Sequence, residues 1–206
     1  GFAVADRKLF LREGVRTIAI FIELTTPVAD TSISPRWIIR LSGAKAWFDV
    51  PRSSVETVVL SVPTGSPDEH DTSKGTKTPP KGKTTGLLGM LIRLSANDPP
   101  VVPFDPKLHG DEHETGIPVI EVAFDVSDTD GARAFAVLRD AKARRMLVRS
   151  LASGLKDLMV VAGGATADAA KPFAPFGAQP RAGAFFTIGS SEIFSKSIEA
   201  LHLAMD

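Results

Sequence analysis

Apolar and polar residues alternate along most of this chain, and the alternation is strand-like. From Arg16 to Thr25, Ile18, Ile20, Ile22 and Leu24 fall on one face at a period of two. Trp37–Leu41 reads as a second strand and Ala46–Val50 as a third. The Ser42-Gly43-Ala44-Lys45 connection between them reads as a hairpin. Val55–Val62 is a fourth, with Val58 and Leu60 opposite Val59 and Ser61. Leu87–Leu94 and Pro118–Val126 follow, then Met146–Leu151 and Leu155–Val161 joined at Ser153-Gly154. Phe185–Ile188 and Ile198–Met205 close the chain, with Leu201 and Leu203 on one face of the last strand.

Helical spacing is convincing in one place. Ser127-Asp128-Thr129-Asp130 offers N-cap residues, and Ala132, Phe135, Leu138 and Ala141 recur near helical spacing. Arg139, Lys142, Arg144 and Arg145 would then favour the negative end of the helix dipole. Ser190–Phe194 has the length of a single helical turn. About nine strands, one short helix and long Pro- and Gly-rich loops make a mainly β fold, a β-sandwich, in one domain over residues 1–206.

Two stretches break the pattern. Residues 63–85 are Gly, Ser, Pro, Asp, Lys and Thr with almost nothing to bury, and read as an exposed, mobile hairpin loop. Residues 171–180 hold three prolines, which forbid a helix and impose an extended path. Lys171, Pro172, Phe173, Pro175, Phe176 and Gly177 read as a rigid structural strap, pinned by its two rings and bent at its glycine, leading into an alternating run from Ala184. Gly163-Gly164 would open the loop into it.

Composition narrows the chemistry. The 206 residues carry 24 Lys+Arg and 24 Asp+Glu, so no global field draws the chain to nucleic acid or an anionic membrane. Without cysteine there is neither a disulfide framework nor a thiolate site. No apolar run approaches the ~20 residues that span a bilayer. The N-terminus has neither signal-peptide pattern nor start methionine, as expected of a domain taken from a longer chain.

Three constellations could carry catalysis or metal, and each is better explained otherwise. Pro80-Lys81-Gly82-Lys83-Thr84 echoes the end of a phosphate loop. However, Lys77 stands where its first glycine belongs, and Pro79 and Pro80 lack N–H groups. His109 and His113, with Glu114 and the more distant His70, could bind zinc, but His109 and His113 lie in a Gly/Pro loop without a matching second motif. Gly189-Ser190-Ser191-Glu192 lacks the second glycine of a nucleophile elbow and suits a helix cap. The expectation is therefore a non-enzyme without cofactor, metal or small-molecule substrate. The basic group Arg139, Lys142, Arg144, Arg145 and Arg149 is a candidate protein-interaction surface, and Trp37 and Trp47 read as core.

Several blocks, in order, resemble the baseplate J-like wedge proteins of extracellular contractile injection systems, the phage-tail-like particles. They are Gly1–Gly14 with Arg16-Thr17-Ile18, Leu41–Trp47, Asp98–His109, Leu155–Leu158 and Lys171–Ser195. The resemblance implies a structural part of the ring that joins sheath to spike, with other wedge, sheath and hub proteins as partners. It implies assembly in the cytoplasm into a particle that is then released. The alternative from the residues alone is a carbohydrate- or surface-binding sandwich module, for which Trp37 and Trp47 would form an exposed platform.

Overall fold

A computed structural model of the chain describes residues 1–63, 84–169 and 171–202. Eleven strands lie among them: β1 (Phe2–Ala5), β2 (Val15–Leu24), β3 (Trp37–Ser42), β4 (Trp47–Asp49), β5 (Val55–Pro63), β6 (Thr84–Leu94), β7 (Val119–Phe124), β8 (Ala143–Ser153), β9 (Met159–Ala162), β10 (Ala165–Ala167) and β11 (Phe186–Gly189). Three short helices join them: α1 (Pro106–His109), α2 (Thr129–Leu138) and α3 (Ser191–Phe194). The strands form two four-stranded sheets, ordered β1-β7-β3-β4 and β5-β6-β2-β8, and a three-stranded sheet, β10-β9-β11. All pairings are antiparallel.

The fold is mainly β, as the alternation predicts. β2 buries one residue in two, Arg16, Ile18, Ile20, Ile22 and Leu24, and turns the intervening side chains outward. Its buried row shares one apolar core with Met90 and Ile92 of β6, Ile39 and Leu41 of β3, and Ile120 and Val122 of β7. The two larger sheets thus face each other as a sandwich. The predicted β3–β4 hairpin forms, with Leu41 opposite Phe48. β5 and β6 pair from Val55 with Ile92 to Pro63 with Thr84. The expected loop between them, and all of the phosphate-loop echo except Thr84, lies outside the described residues.

Five expectations need correction. β8 begins at Ala143, so Arg144 and Arg145 belong to a strand; the helix ends at Leu138, leaving Arg139 as its C-cap. α2 buries Gly131, Ala134 and Leu138 in place of Ala132 and Phe135, because a glycine provides its closest approach. β8 and β9 lie in different sheets and form no hairpin. Gly163 and Gly164, both at positive φ, turn the β9–β10 hairpin instead of opening the strap. Residues 198–202 form no strand, and Ile198 and Leu201 stay partly exposed. Leu203 and Met205 lie outside the described residues.

Candidate protein-interaction site

At the far end of the β2–β8 pair from Arg144 and Arg145 lies a hydrogen-bonded framework centred on Arg16. It follows the parity of β2, so its side chain enters the core and is 0 % exposed. Nε donates to Gly14 O at 3.1 Å. Nη1 donates to Leu11 O at 3.2 Å and Pro99 O at 2.9 Å, and Nη2 to Ser95 O at 2.6 Å and Asp98 O at 2.8 Å. All five guanidinium donors end on peptide carbonyls. Burial lowers the Arg16 pKa, opposed by the charges of Asp98 and Glu192.

The neighbouring segments are tied to the same point. Val101 exchanges backbone hydrogen bonds with Leu11, at 2.9 and 3.2 Å, and bridges to Gly43. Ser42 Oγ donates to Val102 O at 2.7 Å and accepts from Val119 N at 3.0 Å. Lys156 N and Asp157 N both donate to Glu13 Oε1, at 2.8 and 2.7 Å. α3 starts on Ser190, whose Oγ accepts from Ile193 N at 3.3 Å, as the capping reading predicts. It then presents Glu192 and Lys196 to the chain's opening segment. Glu192 Oε2 accepts from Arg12 N at 3.0 Å, and Lys196 Nζ donates to Phe10 O at 2.5 Å. The two charges stand 4.0 Å apart, both largely buried. Burial raises the pKa of Glu192, against the pull of Arg12 and Lys196. Burial lowers that of Lys196, against the pull of Glu192.

Two histidines of the zinc candidate do different things, and His70 lies outside the described residues. His109 is buried; its Nδ1 accepts from Asp105 N at 3.0 Å, which leaves Nε2 to donate to Gly43 O at 2.9 Å. Both ring nitrogens are used within the fold. His113 Nε2 lies 2.8 Å from Glu121 Oε1, and the ligand atoms of Glu112, His113 and Glu121 fall within 4.8 Å of one another. Arg40 already sits among these carboxylates: its Nε donates to Glu121 Oε2 at 2.7 Å and its Nη2 lies 3.6 Å from Glu112. Burial raises the pKa of Glu121, but hydrogen bonds from His113 and Arg40 bring it below the ordinary value. The arrangement is an ion-pair network closed over Trp47, whose ring lies 4.8 Å from the Arg40 guanidinium carbon. Trp47 Nε1 in turn donates to His109 O at 2.7 Å. Trp37 is buried, with Nε1 donating to Thr57 Oγ1 at 3.0 Å.

The basic group is exposed and spread over three elements. Arg139 pairs with Asp140, Lys142 lies in the connection to β8, and Arg144 and Arg145 open that strand. Both strand arginines reach Glu23 of β2, at 3.0 and 3.4 Å. Arg149, further along, lies 3.5 Å from Glu199. There the C-terminal segment closes over β8 around a cavity of about 340 Å³ lined by Leu11, Leu151, Ile193 and Leu201. The strap bends at Gly177, which has positive φ, and lies at the surface. Lys171 and Pro172 are exposed, Phe173 and Pro175 half-buried, and Phe176 is 48 % exposed with its ring edge-on to Phe186 at 5.9 Å. Phe176 packs on the small third sheet, and neither strap ring belongs to the apolar core.

Glu192 falls in a predicted capping turn and Arg16 in a predicted strand, but their buried roles escaped the sequence reading, as did Glu23 and Lys196 altogether. For Arg16 a signal existed: it precedes the Ile18–Ile22 row at the same parity. No protein-family model and no curated protein matches the chain.

Proposed function

We propose that the chain is a structural module of the baseplate of a contractile injection system, holding neighbouring subunits between sheath and spike. The observation that carries this reading is spatial. The five separated blocks that resemble wedge proteins meet at one framework. Arg16 of the first block holds Asp98 and Pro99 of the third, and Leu11 pairs with Val101. Val101 bridges to Gly43 of the second, Glu13 holds Lys156 and Asp157 of the fourth, and Glu192 of the fifth holds Arg12. Residues that share such a joint are constrained together, so their joint resemblance is what a common framework would leave behind. The rest of the surface is then free to vary with its partners.

Buried Trp37 favours this reading over carbohydrate binding; Trp47, expected in the core, is only half-buried. Trp37 packs on Phe124 inside the core and Trp47 lies between Arg40 and His109, so they do not form a paired stacking platform. The test is co-sedimentation. A tagged parent protein in gently lysed native cells should pellet with sheath and tube proteins. Retention in the soluble fraction, under conditions where intact particles pellet, would overturn the proposal.

A further inference from the structure

We propose that the open edge of β8 receives an extended segment of a partner protein as an added strand, the segment alternating acidic with apolar side chains. The inference rests on the assembly reading above and names the kind of neighbour.

Among the described residues, β8 is the last strand of its sheet and pairs on one side only, with β2. Its second half is occupied: Ser150 Oγ donates to Lys8 O at 2.7 Å, and Glu199 lies against Arg149. Its first half is not. Every residue from Ala143 to Leu147 is exposed, including Met146, whose parity with buried Val148 should turn it inward. Among the described residues the stretch is therefore open on both faces and along its backbone, over about the length of an ordinary strand. Unpaired backbone groups beside exposed apolar side chains are what an added strand uses.

Charge selects the occupant. Arg144 and Arg145 share one carboxylate, Glu23, and Lys142 makes no ion pair among the described residues. The edge is thus left positive. A second copy of β8 is a poor fit, because the antiparallel register that sets Leu147 opposite Leu147 sets Arg145 opposite Arg149, and facing like charges destabilise a pair. Arginines also keep an edge from pairing at all, but Met146 and Leu147 between them do not serve that purpose. An incoming strand with carboxylates on the arginine face and an aliphatic residue beside Met146 on the other face satisfies both features.

The test uses amide hydrogen exchange on the full chain with three blocked octapeptides as probes. One alternates Glu and Val, one alternates Lys and Val, and one is the Glu/Val peptide N-methylated at every residue. The Glu/Val peptide should slow exchange in residues 143–148 at least fivefold, and the other two should not. The double variant R144E/R145E, with its fold checked by urea melt, should reverse the preference towards the Lys/Val peptide. Absence of protection at β8, equal protection by the Lys/Val peptide, or protection by the N-methylated peptide would each overturn the inference. A chain that sediments with particles but ignores the peptide loses only this inference. A chain that binds the peptide but stays soluble loses only the baseplate reading.

Discussion

Arg16 holds more of the chain together than any other single side chain described. Replacing it with leucine removes all five donors at once, although Leu11 O and Ser95 O each keep a backbone N–H, from Val101 and Asp98. Arg16→Leu should cost about 3–5 kcal/mol in a urea melt. Arg16→Lys, with three donors at most, should fall between the variant and the native chain. A loss under about 1 kcal/mol for leucine would mean that water replaces the guanidinium freely. Glu192 makes a prediction of a different sign from most carboxylates. Its folded pKa lies above the unfolded value because burial disfavours the charge. The folded state therefore takes up a proton more readily than the unfolded one, and this site adds stability as pH falls from neutral towards about 4.3. Glu192→Gln keeps an acceptor for Arg12 N but cannot titrate. Urea midpoints measured from pH 7 to 4 should show the native chain gaining on the variant as pH drops. A constant gap would refute the assignment.

At the scale of elements, α2 illustrates how packing overrules propensity. Alanine is favoured over glycine by about 1 kcal/mol in a helix. Yet a Cβ at Gly131 would run into the carbonyl oxygen of Asp125, on the turn entering the helix. Gly131→Ala should therefore destabilise by about 2 kcal/mol, read as a lowered urea midpoint; a stabilised variant would show that the helix can shift outward. The same glycine explains why the helix's buried face was not legible: a residue without a side chain gives no apolar signal, so Phe135 looked like the anchor. β2 was legible because one face is buried along its whole length, and period two then dominates. β8 was legible only in part, since exposure on both faces removes the contrast that alternation depends on. Its arginines looked like a helix terminus for that reason. The β9–β10 turn was missed because Gly163-Gly164 reads equally well as a hairpin or as a loop. The candidate surface was legible as a charge cluster, whereas its status as a strand edge depends on sheet order, which no local pattern contains.

The whole molecule divides its stability unevenly. The apolar core draws on both large sheets and on α2, while β9, β10 and β11 contribute nothing to it and rest on contacts such as Phe176 against Phe186. Native-state hydrogen exchange should be slowest in β2, β3, β6 and β7. The three-stranded sheet should exchange through a separate opening of lower free energy. A single common opening energy across all three sheets would contradict this division. It also fits the proposed role, in which a stiff sandwich keeps geometry and the more lightly held C-terminal third adjusts to neighbours.

The joint around Arg16 has one further property. Its acceptors are all peptide carbonyls, and a carbonyl does not titrate anywhere in the range proteins encounter. An arginine held by carboxylates would loosen in acid as its partners took up protons. This one keeps the same hydrogen-bond partners whether the surroundings are acidic or alkaline, and its burial shields it from dissolved ions. The Arg16 hydrogen bonds are in this sense indifferent to pH, unlike the Glu13 and Glu192 contacts around them, which rest on carboxylates.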